Sequence, residues 1–133
     1  MKLKIGSADT ELDIRRAYMV REAAGGEVKV MLDANQSWPL PQAIEACLDL
    51  AGMVRYWIEE PTQPDDVFAH QTLVRAIAPM KIALGEHVPN RVIFKNFFCR
   101  QGQPASYKWI APELGVSANL SRLVSRLANL VSR

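Results

Sequence analysis

The sequence has little of what would mark several protein classes. It holds only two cysteines, Cys47 and Cys99, in 133 residues. That excludes a disulfide framework and favours a reducing, intracellular setting, so a cytoplasmic location is expected. Nowhere does an apolar run approach the ~20 residues of a membrane-spanning helix. The N-terminal "MKLKIGSADTELD" turns polar too early for a secretion signal. Charge of one sign is also scarce: the formal net charge is +2, with no basic stripe. No nucleic-acid partner and no membrane partner are therefore expected. Histidine occurs twice, so a zinc site of histidine and cysteine ligands has little to draw on.

What remains is ordinary globular material, 49% hydrophobic and 23% charged, enough for one modest domain. Short apolar runs alternate with helical patterns. "KLKI" at 2–5 reads as a strand closed by Gly6 and Ser7. A helix follows, marked by Leu12, Tyr18 and Met19, capped by Asp9 or Thr10 and ended by Gly25–Gly26. Further strands are expected at 28–32, 54–58 and 81–84. Further helices open at Pro39, near Asp66 and near Asn90. Four strand–helix units in a row, with no hairpin signal, predict an α/β fold with a parallel sheet. Each unit has the length of a barrel unit, so the expectation is a partial (β/α) barrel of about four units. After residue 98 the pattern changes. Leu120, Leu123, Val124, Leu127, Leu130 and Val131 recur at helical spacing, alongside Arg122, Arg126 and Arg133. The expected division is a barrel part at 1–98 and a tail at 99–133, a loop and then an amphipathic helix that covers apolar surface.

A charged residue stands at the end of each strand: Lys4, Asp33, Glu59 and Glu86, separated by 29, 26 and 27 residues. In a parallel sheet these side chains gather at the C-terminal edge, where α/β active sites lie. Singly, each acid reads as a helix cap. Jointly, three converging carboxylates need a cation or shifted pKa values to coexist. The donors are all oxygen, which suits Mg²⁺. Lys2 and Lys4 alternate by two and share one strand face. Beside each other, each lowers the other's pKa, which would make one of them a base near neutral pH. A base beside a divalent cation is equipment for removing a proton α to a carboxylate. Glu60, next to Glu59, reads as a supporting or helix-opening residue. His87 reads as a supporting or surface residue, His70 as structural, and both cysteines as packing residues.

"KLKIG", "MLDANQSW", "WIEEPTQPDD" and "GEHVPNRVIFK" together resemble the barrel domain of the enolase superfamily, mandelate racemase subgroup, and within it the L-fuconate dehydratase branch. The resemblance covers residues 1 to about 98. It implies that Asp33, Glu59 and Glu86 hold Mg²⁺, that Lys4 is the base with Lys2 as companion, and that Asn35 contacts the substrate. The implied reaction is dehydration of a sugar acid to a 2-keto-3-deoxy acid. Racemisation and cycloisomerisation share the same metal triad. Two departures stand against the family pattern. The chain shows neither a capping domain nor the later strands that supply an Asp–His dyad and a further glutamate. The expectation is therefore a fragment, either a partial enzyme or a remnant that binds metal or associates with itself.

Overall fold

The computed structural model describes residues 1–54, 56–99 and 107–109, with backbone only for 98, 99 and 107–109. The elements follow the order β1 (Lys2–Lys4), α1 (Thr10–Ala24), β2 (Met31–Asp33), α2 (Leu40–Asp49), β3 (Ile58–Glu59), α3 (Val67–Ala76), β4 (Ile82–Leu84), α4 (Arg91–Cys99) and β5 (Tyr107–Trp109). The strands form one sheet in chain order, β1-β2-β3-β4-β5, and every neighbouring pair is parallel. Successive helices pack side by side, α1 on α2, α2 on α3 and α3 on α4. This is the arc of an α/β barrel, as the repeated strand–helix units predict.

Local chemistry starts and stops the helices. The Asp9 side chain accepts from the Leu12 N–H, and Asp66 caps α3 in the same way through Ala69. Gly25, at φ +79°, ends α1 and its N–H donates to the Arg21 carbonyl. Pro39 precedes α2, and a proline lies in its first turn. Between sheet and helices lie Val30, Leu32, Ile58, Ile82, Leu84 and Phe97, all essentially without exposed surface. Cys47 is buried and free, and burial pushes its thiol up to about 12, which makes it an inert packing group.

Three expectations change. The strands are shorter than the apolar runs, and β3, Ile58–Glu59, keeps only Ile58 of the expected 54–58 region, because the ladder extends only where β2 and β4 lie alongside. Helix α1 forms, but Leu12, Tyr18 and Met19 lie on its exposed side. Its buried residues are Asp13 and Ala17. The Asp13 carboxylate accepts the Gly6 and Ser7 N–H groups at 2.7 and 2.6 Å and so anchors the β1–α1 turn under the helix. Finally, the sheet runs beyond four units: β5 pairs with β4, Ile82 opposite Tyr107 and Leu84 opposite Trp109. The outer edge of β4 is therefore covered by backbone pairing. The amphipathic helix expected over 120–131 lies outside the described residues. Among the described residues, no helix is long and apolar enough to cross a membrane.

Gly6 sits where β1 leaves the sheet, at φ +94°, and a Cβ there would lie 2.5 Å from the Ala34 carbonyl oxygen. Gly25 has similar backbone but nothing within 4 Å. Gly6→Ala is therefore expected to cost clearly more than the roughly 1 kcal/mol of Gly25→Ala, as read by urea denaturation of the two variants. His70 is buried, edge-on to Phe97 with ring centroids 5.4 Å apart. Burial holds its imidazole below the ordinary 6.5, against the opposing pull of the Asp66 carbonyl and carboxylate. Below 6.5 the unfolded chain takes up a proton that the folded chain resists, so folding stability rises with pH through that window. Thermal melts should show a midpoint that drops between about pH 7.5 and about pH 5.5, with a shallower drop in His70→Asn.

Candidate active site

The parallel register sets the site. Lys4 lies opposite Asp33, and Asp33 lies opposite Glu59, so three strand ends meet at one edge of the sheet. The two-residue pleat puts Lys2 and Lys4 on the same face, and both reach Asp33. The Lys2 ammonium lies 2.8 Å from Asp33 Oδ2 and 2.7 Å from Glu59 Oε2. Lys4 Nζ donates to the same Asp33 Oδ2 at 2.6 Å and to Asn35 Oδ1 at 2.8 Å. Asn35 is held in turn: its N–H donates to Asp33 Oδ1 at 3.1 Å. Asn35 and Gln36 adopt φ of +46° and +63°, the left-handed backbone that folds this turn back over the end of β2.

Asp33 and Glu59 are 1% and 2% exposed, so their charges are desolvated and need compensation. Burial raises Asp33, but hydrogen bonds from Lys2, Lys4 and the Asn35 N–H outweigh it and hold the carboxyl below its ordinary value. Glu59 goes the other way. Burial is the largest cause, the neighbouring Asp33 and Glu86 carboxyls add to it, and Lys2 offsets only part, so the pKa is raised. Glu86 itself is exposed on the turn after β4.

The lysine pair behaves differently from expectation. Burial lowers Lys2, but its hydrogen bonds to Asp33 and Glu59 and their charges win, and its pKa is pushed well above the usual lysine value. Lys2 is thus a fixed cation, not a base tuned toward neutrality. The spacing reveals two lysines on one face; it does not reveal that carboxylates lie closer to Lys2 than Lys4's charge can matter.

Asp33, Glu59 and Glu86 are the groups that could hold a metal. Among the described residues, no three His, Cys, Asp or Glu side chains form a ready-made metal set. The Lys2 ammonium stands between Asp33 and Glu59 and does the neutralising there. Two features fit a hard divalent cation nonetheless. The donors are all carboxylate oxygens, and Glu59 Oε1 is buried with no hydrogen-bond partner. A groove of about 320 Å³, lined by residues such as Val54, Tyr56, Met80 and Lys81, lies at the opposite edge, before β3 and β4.

Glu60 does not open a helix; Asp66 caps α3. It is buried, at φ +39°, and its carboxylate accepts the His87 N–H and imidazole Nδ1 at 2.9 and 2.6 Å. Gln36 and Gln63 carried no sequence signal. They lace the turns together: Gln36 N–H donates to the Glu60 carbonyl at 2.7 Å, and Gln63 Nε2 to the Gln36 carbonyl at 3.2 Å.

A model of the family "Enolase C-terminal domain-like" matches residues 1–103. A mitochondrial enolase superfamily member 1 from Bos taurus is 49% identical over 97 residues, covering 71% of this chain and 22% of that protein. The Xenopus laevis counterpart is 43% identical over 127 residues, covering 92% of this chain and 28% of that protein. The L-galactonate dehydratase of Hypocrea jecorina is 41% identical over 100 residues, covering 71% of this chain and 22% of that protein. Two crystal structures superpose on nearly the whole chain. L-talarate dehydratase from Polaromonas sp. JS666, complexed with Mg and L-glucarate, gives a TM-score of 0.83 at 31% identity, covering 99% of this chain and 35% of that one. A racemase from Streptomyces coelicolor A3(2) with bound magnesium gives 0.82 at 32% identity, covering 98% and 36%. The chain thus spans 22–28% of the length of these curated relatives.

The salt-bridge geometry predicts a stability effect. Lys2→Met keeps the apolar stem but leaves Asp33 and Glu59 facing each other with one cation fewer. The expected cost at neutral pH is about 1 kcal/mol, between exposed and buried pairs because the Lys2 side chain is 39% exposed. The difference from the native chain should shrink as pH falls, first from above 4.5 as Glu59 protonates and then below 3.8 as Asp33 does, as checked by urea denaturation at several pH values.

Proposed function

Because this chain belongs to the enolase C-terminal domain-like family, we propose that it carries the metal-binding and proton-abstracting half of a Mg²⁺-dependent acid-sugar dehydratase. One observation carries the reading. A lysine amine, Lys4, is fixed by Asp33 and Asn35 at the sheet edge where Asp33 and Glu59 lie side by side and the turn carrying Glu86 begins. The Lys4 side chain is 62% exposed and so remains open to a substrate arriving at that edge.

In this reading Asp33, Glu59 and Glu86 hold Mg²⁺, which when bound supplies Lewis-acid stabilisation of charge developing on a substrate carboxylate. The Lys4 amine takes the proton from the carbon α to that carboxylate. The β-hydroxyl then leaves as water with the proton that Lys4 took, and the enol left behind ketonises to a 2-keto-3-deoxy acid. Asn35 orients the Lys4 amine and offers its amide to a sugar hydroxyl. Lys2 keeps its positive charge at the floor of the site, where it draws an acid substrate in. The substrate class is a small sugar acid, with L-fuconate the first compound to test and a cytoplasmic setting assumed. The dehydratase among the similar proteins supports this class over the racemase, whose chemistry uses the same metal triad.

A second reading is a metal-binding or self-associating remnant without turnover. It is favoured by the Lys2 ammonium, which balances Asp33 and Glu59 without any metal. A panel of sugar acids assayed with Mg²⁺ separates the two. Under the dehydratase reading, water is eliminated from at least one acid, a chelator stops the reaction, and Lys4→Ala lowers kcat by about 10²–10⁴-fold. Absence of turnover across the panel, with Mg²⁺ still raising the melting midpoint, selects the remnant.

A further inference from the structure

Next to Glu59 lies a second carboxylate with a different task. Glu60 is 1% exposed. Its left-handed backbone, φ +39°, breaks the strand immediately after Glu59. Both its oxygens are engaged by the turn after β4. Oε1 accepts the His87 N–H at 2.9 Å, and Oε2 accepts His87 Nδ1 at 2.6 Å, with Gln36 Nε2 at 3.4 Å. The main chain of Glu60 adds two ties, its N–H to the Ala83 carbonyl at 3.0 Å and its carbonyl to the Gln36 N–H at 2.7 Å. One residue therefore joins the ends of β2, β3 and β4.

His87 is covalently next to Glu86, and Glu86 is exposed on a turn that begins at Gly85, φ +139°. An exposed side chain on such a turn loses conformational entropy when it is held in one place. A bidentate, charge-assisted grip on the adjacent residue supplies that ordering before any ligand arrives. We propose that Glu60 is a positioning residue, whose double hold on His87 fixes the turn that carries Glu86, the third candidate metal carboxylate. The inference rests on Asp33, Glu59 and Glu86 being the metal set.

The test uses Mn²⁺ as the probe metal, titrated into the full chain and followed by the electron paramagnetic resonance signal of free Mn²⁺. Glu60→Gln puts an N–H₂ where one of the His87 donors needs an acceptor, and should weaken Mn²⁺ binding about 10–100-fold. His87→Ala should weaken it in the same direction. His87→Asn restores a donor near the Nδ1 position and should recover most of the affinity, which a merely structural role for His87 would not produce. A metal-free readout accompanies these. In ¹⁵N NMR spectra of the chain without metal, Glu60→Gln should move the His87 and Glu86 amide signals and leave those of Leu32 and Ile82 in place. If Glu60→Gln does not fold, His87→Ala decides alone, since that side chain is 44% exposed. Glu60→Gln or His87→Ala binding Mn²⁺ within twofold of the native chain, while Glu86→Gln weakens it, overturns this inference and leaves the functional reading standing. A native chain that binds no Mn²⁺ overturns both.

Discussion

Two carboxylates buried side by side cannot both stay ionised without a cation between them. In this chain that cation is the Lys2 ammonium, bonded to Asp33 and Glu59 at 2.8 and 2.7 Å. The rest of the edge is arranged around this arrangement of charge. Asp33 is held low by the lysines and Glu59 is raised by burial, so neighbouring acids on neighbouring strands differ in their hold on a proton. A site of this kind is ready for a divalent cation, because the metal would take over a neutralising task that a side chain already performs. The same tie also keeps the strand ends in register without metal.

Irregular backbone concentrates where the charges do. Gly6, Asn35, Gln36, Glu60 and Gly85 have positive φ, and all lie just past a strand at the C-terminal edge. Such conformations persist only where surrounding bonds over-determine them. Here those bonds are identifiable: Asp13 to the Gly6 and Ser7 amides, Asp33 to the Asn35 amide, and Glu60 to His87 and Gln36. The opposite edge, before the strands, carries an apolar groove, and there the Arg21 guanidinium donates to the carbonyls of Gly25, Val28 and Met53. Stability and chemistry thus divide along the strand direction, as in α/β barrels generally.

The register explains why chain spacing could stand for spatial proximity. Each strand–helix step returns the chain one strand over at the same height, so Lys4, Asp33 and Glu59 become direct neighbours. Glu86 lies two residues past β4, off the ladder, so its place depends on the turn and not on the register. That difference is why Glu60 and His87 matter: they act on the one member of the set that the sheet does not place.

From residue order alone came the parallel α/β arc, a cap at Asp9, and the meeting of Lys2, Lys4, Asp33 and Glu59 at one sheet edge. These follow from periods and intervals, which are local or repeat with the chain. Tertiary structure alone decided the rest. The buried face of α1 went to Asp13 and Ala17 and not to Leu12, Tyr18 and Met19, because an anchored turn and a small side chain let the helix sit close. Lys2 became a fixed cation because the balance of its bonds to two carboxylates against burial is a matter of ångströms. Glu60 and His87 found each other across 27 residues through a left-handed turn that no period announces. Spacing specifies which strand ends meet; only packing specifies distances, and the chemistry of charged groups is set by distance.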